Sequence, residues 1–152
     1  MYEALLREAY DQNVEIYEKP MKQTIRGLYS DNIIWINKCI PSAAERTCIL
    51  AEELGHYHTT VGNILDQTKV ENRKQELRAR YWAHEKLVPL HKIVQAQKEG
   101  IRNRFELADY FGITEEFLEE ALKRYKEKYG LFTIVNGIAL YFDPLGTLEM
   151  IV

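Results

Sequence analysis

Cysteine is scarce in this chain: Cys39 and Cys48 are the only two among 152 residues. Two thiols close at most one bridge, which excludes a disulfide-stapled scaffold, and their spacing is not the close C-x-x-C pairing of a zinc knuckle. Both lie among apolar residues and are expected to be buried thiols. There is no surplus of positive charge either. Lys and Arg number 20 against 23 Asp and Glu, for a net charge of −3, which argues against a general nucleic-acid binder. No apolar run approaches the roughly 20 residues needed to span a bilayer. Met1–Glu8 lacks the basic start and apolar core of a signal peptide. The expectation is a cytoplasmic protein with no membrane partner. Internal repeats and low-complexity segments are also missing.

What is present is ordinary globular material, 46% hydrophobic and 28% charged, enough for one domain or one domain with a small appendage. The charge is uneven. Residues 69–104 carry ten Lys/Arg against four Glu, and residues 105–152 carry four against nine Asp/Glu. A solvated helix face is the simplest account of the basic stretch. The predicted division is residues 1–99 and residues 100–152.

Leu5, Leu6, Ala9 and Tyr10 share one side of a helix over residues 2–12. Val14–Tyr17 alternates as a strand, closed by Pro20. Thr24–Tyr29 and Asn32–Asn37 read as two more strands around the turn residues Ser30-Asp31-Asn32, which predicts a three-stranded antiparallel sheet. Ser42 followed three residues later by Glu45 is a capping-box start for the next helix, which should end near Tyr57–Thr60. A long helix from about Val70 to Leu87, interrupted at Pro89, and a shorter one from His91 to about Lys98 follow. Residues 104–111 and 115–129 are helical around Gly112-Ile113-Thr114, with Gly130 as the final cap. Asn136-Gly137 between two apolar runs predicts a hairpin.

The chemistry concentrates in Leu50-Ala51-Glu52-Glu53-Leu54-Gly55-His56. At 3.6 residues per turn, positions i and i+4 return to one face of a helix, so Glu52 and His56 can both face one metal ion. The residue after the first ligand, Glu53, then lies beside the ion's water, where the His-Glu-x-x-His pattern places its general base. A hydrolytic zinc site takes three protein ligands and an open position. Glu76 on the following helix offers the third. Ala79 and Ala83, on or near its face, are small enough to let two helices approach, as is Gly55. Taken by themselves, Glu and His at this spacing also occur on ordinary exposed helices.

The block Thr47–Thr60, together with the later run Glu76-x-x-Ala79-x-x-Trp82-Ala83 closed by Pro89, resembles the ImmA/IrrE family of metallopeptidases over roughly residues 10–90. Read together, the elements and the resemblance give an expected α+β fold: a small antiparallel sheet packed on a zincin-like helical core, with a C-terminal helix-turn-helix-like unit and a β-hairpin that the residues beyond 100 suggest by themselves. It implies that His56 and Glu76 are metal ligands and Glu53 the catalytic base. It also implies a protein substrate of the kind of a phage or mobile-element transcriptional repressor. Glu52 departs from the family pattern, which has His there. Two carboxylates and one imidazole would neutralise Zn²⁺, raise the pKa of its water and favour Mn or Fe. His58 is the substitute ligand only if the helix stops at His56 or Tyr57, because it lies about 200° round the helix from His56. His84 is expected to pack elsewhere, and His91 to lie at the surface.

The pair of helices around Gly112 has the outline of a DNA-reading unit, but its second helix opens with Glu115 and Glu116, which phosphates would repel. Packing or protein docking suits it better. Three functions follow: a metal-dependent peptidase with Glu52, His56 and Glu76 holding zinc, a non-catalytic regulatory binding module on the same fold, and a DNA-binding regulator.

Overall fold

The computed structural model describes residues 1–59 and 70–149, with side chains given from residue 73 onward in the second stretch. The chain divides into two compact units, Met1–Ala83 and His84–Val152. The first unit contains α1 (Tyr2–Asp11), β1 (Glu15–Lys19), β2 (Gly27–Ser30), β3 (Ile33–Asn37), α2 (Ala43–Thr59) and most of α3 (Val70–Leu87). No helix is long and apolar enough to cross a membrane among the described residues.

The first sheet corrects the antiparallel expectation. Its order is β1-β3-β2. β1 runs parallel to β3 from Glu15↔Ile33 to Lys19↔Asn37, and β2 alone is antiparallel to β3. Residues 20–26 form a connection long enough to carry the chain past β1 before the hairpin closes, so β3 returns in the direction of β1. β3 takes the central place because it is the most apolar strand: Ile34 and Ile36 are fully buried, as a strand flanked on both edges requires. The hairpin turn is as anticipated, with Asp31 and Asn32 both at positive φ (48° and 65°), the geometry a tight two-residue hairpin needs. The sheet packs on α2, which also meets α1, and the buried residues Leu5, Ala9, Leu50, Ala51 and Leu54 fill the space between.

Asn37 closes this unit at the end of β3. It is 1% exposed. Its Nδ2 donates to the carbonyls of Met21 (3.3 Å), Lys22 (3.1 Å) and Ile25 (2.7 Å). Its Oδ1 accepts from the amides of Met21 (3.2 Å) and Cys39 (2.9 Å). One amide thus holds the β1–β2 connection and the exit from β3. Asn37→Ala strands several of these groups, and thermal unfolding should show a loss of about 2–3 kcal/mol; an unchanged midpoint would show that water satisfies them equally well. In this turn Cys39 is exposed, contrary to the expected burial, while Cys48 on α2 is buried as expected.

α2 starts with Ser42 Oγ accepting from the Glu45 amide (3.2 Å), the cap anticipated from the spacing. It runs to Thr59, inside the expected end near Tyr57–Thr60, of which residue 60 lies outside the described residues. The second unit comprises the end of α3, α4 (Leu90–Lys98), α5 (Arg104–Phe111), α6 (Glu115–Tyr129) and β4 (Phe132–Val135), β5 (Ile138–Phe142) and β6 (Leu145–Glu149). Thr114 caps α6 by accepting from the Phe117 amide (3.1 Å), and Gly112 takes the left-handed conformation (φ 69°) that stops α5. Tyr125 Oη donates to the Val88 carbonyl (2.7 Å), tying α6 to the joint between α3 and α4. The Asn136-Gly137 turn forms as predicted, but the sheet has a third antiparallel strand, β6, beside β5. Its Leu145-Gly146 start follows Pro144 and reads locally as a loop.

Candidate functional site

The site is built where α2 passes between β2 and α3. Ile49, Glu53, His56 and Tyr57 recur at helical spacing and share one flank of α2. Along β2, Gly27 and Tyr29 point the same way because strand side chains alternate. A Cβ added at Gly27 would lie 2.8 Å from Ile49 Cγ2 and 3.1 Å from Glu53 Oε1, so the bare backbone of β2 crosses directly over Glu53. Two residues on, the Tyr29 ring stacks on His56 (centroids 6.5 Å, planes 13° apart) and meets Tyr57 edge-on (6.4 Å).

On the other flank, α3 is drawn against α2 at Gly55. A Cβ there would collide with the backbone carbonyl of Ala79 and come within 3.1 Å of its Cα. Ala79 and Ala83 are fully buried. The close approach anticipated from Gly55, Ala79 and Ala83 is therefore realised. One turn before Ala79, it brings Glu76 Oε2 to 3.2 Å from His56 Nε2, with His56 only 5% exposed.

The electrostatics follow from this enclosure. Burial pushes the Glu53 carboxyl up to about 7; the His56 charge opposes the shift, while Glu52 and Glu76 add to it. For His56, burial pulls the imidazole pKa down, but the hydrogen bond and charge of Glu76, followed by the charges of Glu53 and Glu52, outweigh it and leave the pKa raised. A carboxyl poised near neutrality beside an imidazole–carboxylate pair can take up and release a proton at working pH.

The donors fit a metal in part. Two ligands bound at about 2.0–2.2 Å to one tetrahedral ion sit at much the separation seen between His56 and Glu76. Among the described residues, however, no group of three or more His, Cys, Asp or Glu is placed to hold an ion. Glu52 is near enough to act on His56 and Glu53 through its charge, yet it does not complete a triad with them. His58 is no substitute. α2 continues through Thr59, so the condition for His58 to turn back is not met, and its exposed ring stacks on Trp82 (4.6 Å, 20°). In the second unit, His84 is buried edge-on against Phe117 (5.1 Å) with Glu120 at 3.9 Å, and His91 is exposed, both as anticipated. Gly27 and Tyr29 were missed from sequence, because nothing local says which strand crosses the helix.

No curated protein sequence matches the chain. The family profile of the IrrE N-terminal-like domain matches residues 9–123. The match reaches beyond the stretch whose motifs suggested it, through α4 and α5 and into α6, and it encloses both helices of the site. The chain belongs to the IrrE N-terminal-like domain family, a family of metallopeptidase type.

Proposed function

We propose that this chain is a metal-dependent peptidase acting on a protein substrate, with Glu53 as general base and His56, Glu76 and Glu52 as the metal-holding side chains. The observation that carries it is the 3.2 Å approach of His56 and Glu76 across two helices, beside a carboxyl held near pH 7. A divalent cation bound there, zinc or, with two carboxylates, Mn or Fe, supplies Lewis acidity. Glu53 receives a proton on a carboxylate oxygen and returns it, a task for which a pKa near the operating pH is well matched. β2 and the Tyr29 ring cover Glu53 and His56 and limit the access of bulk water. By the family resemblance, the substrate is a transcriptional repressor of phage or mobile-element type in the cytoplasm.

The incomplete triad favours a second reading: a regulatory protein-binding module that retains the fold without full ligation. Elemental analysis of protein purified and dialysed with zinc separates the two, since stoichiometric metal fits the peptidase and its absence fits the module. Glu52→His sharpens the test. Restoring an imidazole should raise zinc affinity on the order of 10–100-fold, the scale on which even groups supporting a ligand act. Unchanged affinity would remove Glu52 from the ligand set.

A further inference from the structure

The opposite edge of the first sheet carries a feature that the α2 site does not use. Among the described residues, β1 ends the strand order β1-β3-β2. The Glu15 amide donates to the Asn32 carbonyl (3.0 Å), and the Lys38 amide donates to the Lys19 carbonyl (2.9 Å). In a parallel ladder, alternate residues direct both backbone groups to the same neighbour. Glu15, Tyr17 and Lys19 therefore bond to β3, while Ile16 and Glu18 turn their N–H and C=O groups toward the open edge. Such an edge is a template for another strand.

The edge is accompanied by a wall. Tyr2 Oη at the start of α1 donates to Glu18 Oε1 (2.6 Å), and the chain leaves the end of α1 directly into β1, so helix and strand lie side by side in opposite directions. Between them runs an open groove of about 800 Å³, lined by Leu6, Tyr10 and Asp11 of α1 and by Glu15, Ile16 and Tyr17. Tyr10 is 82% and Tyr17 44% exposed, so both rings stand open at the groove. The charged side chains that line the groove, Asp11 and Glu15, are both acidic, and Tyr17 Oη donates to Glu15 Oε2 (2.9 Å), holding that carboxylate at the rim.

We propose that the groove between α1 and the free edge of β1 takes an extended segment of a protein partner, by strand addition, and prefers one in which apolar and basic side chains alternate. Backbone bonds to Ile16 and Glu18 supply the register, Leu6, Tyr10 and Ile16 receive the apolar side chains, and Asp11 and Glu15 select for Lys or Arg. A second copy of this chain is a poorer occupant, since it would bring two sets of these carboxylates together.

The test uses the ¹⁵N-labelled full chain and two capped octapeptides, Thr-Val-Lys-Val repeated twice and Thr-Val-Glu-Val repeated twice. The basic peptide should shift the Ile16 and Glu18 amides and slow their hydrogen exchange, and the acidic one should bind at least about tenfold more weakly. N-methylation of alternate peptide amides should abolish binding. Ile16→Pro removes an outward N–H without touching the β1–β3 ladder, as edge positions allow, and should also abolish it. Glu15→Lys combined with Asp11→Lys, surface changes that leave the ladder whole, should invert the preference between the peptides. Silence at the Ile16 and Glu18 amides, or equal binding of both peptides, overturns the proposal. Concentration-dependent self-association through this edge, with no peptide binding, assigns it to a second copy and overturns it too.

Discussion

Glu53→Gln should lower peptide-bond cleavage by about 10²–10⁴-fold, the usual contribution of a positioned base, while metal content stays that of the wild type. Gln keeps the size and polarity of the side chain under β2 and removes only its ability to take a proton. The same substitution has a second, opposite effect that activity alone would hide. The Glu53 carboxyl is raised from 4.5 to about 7, chiefly by burial. A carboxyl whose pKa is higher folded than unfolded binds more protons in the native state. Its contribution is fully present below the unfolded value and is lost as pH rises through the folded one. In chelated, metal-free protein, wild-type stability should therefore decline between about pH 4.5 and 7 on account of Glu53. The Gln variant should lack that component and be more stable at pH 8 by on the order of 1–3 kcal/mol. Denaturant titrations across this pH range check it. Undiminished cleavage removes Glu53 from the mechanism, and parallel stability profiles show that its carboxyl is not held near neutrality.

Gly55→Ala should be the most damaging single-methyl change in the first unit. In an isolated helix it would stabilise by about 1 kcal/mol. Here the added carbon meets the Ala79 backbone, and neither helix has a flexible side chain at the contact to move aside. Overpacking of this kind costs up to about 3 kcal/mol, so the net loss should be about 2 kcal/mol, or a fall of about 4–8 °C in the unfolding midpoint. The effect reaches the site because the same approach of α3 sets the distance from Glu76 to His56, so metal affinity should fall with the midpoint. Ala79→Gly should not rescue it, since the collision is with the carbonyl and not with the side chain. A midpoint and affinity equal to wild type would mean that the helices are not held together at Gly55.

The two helices of the site were readable from sequence because their information is local. The Ser42 cap, the four-residue spacing of Glu52 and His56, and the small faces of Gly55, Ala79 and Ala83 all act within a few turns or across one helix contact. The hairpin turns at Asp31-Asn32 and Asn136-Gly137 were readable for the same reason. What escaped depends on pairing at a distance. The direction of β1 beside β3 is set by the path of residues 20–26, and strand alternation alone is blind to it. The passage of Gly27 over Glu53 and of Tyr29 over His56 follows from that path. The exposure of Cys39 follows from the turn that Asn37 organises, and β6 was obscured by Pro144 and Gly146, which read as loop. Glu52 remains the residue where spacing and structure part. Its position on α2 suits a ligand, while no group of three or more His, Cys, Asp or Glu among the described residues is placed to hold an ion.

Anomalous diffraction from crystals grown with zinc addresses the central claim most directly. One ion should appear within about 2.0–2.2 Å of both His56 Nε2 and Glu76 Oε2, with Glu52 turned in as the third ligand and Glu53 beside it without a bond to the metal. An anomalous map with no peak between His56 and Glu76, in crystals that bind zinc elsewhere or not at all, would contradict the assignment of this site as a metal centre.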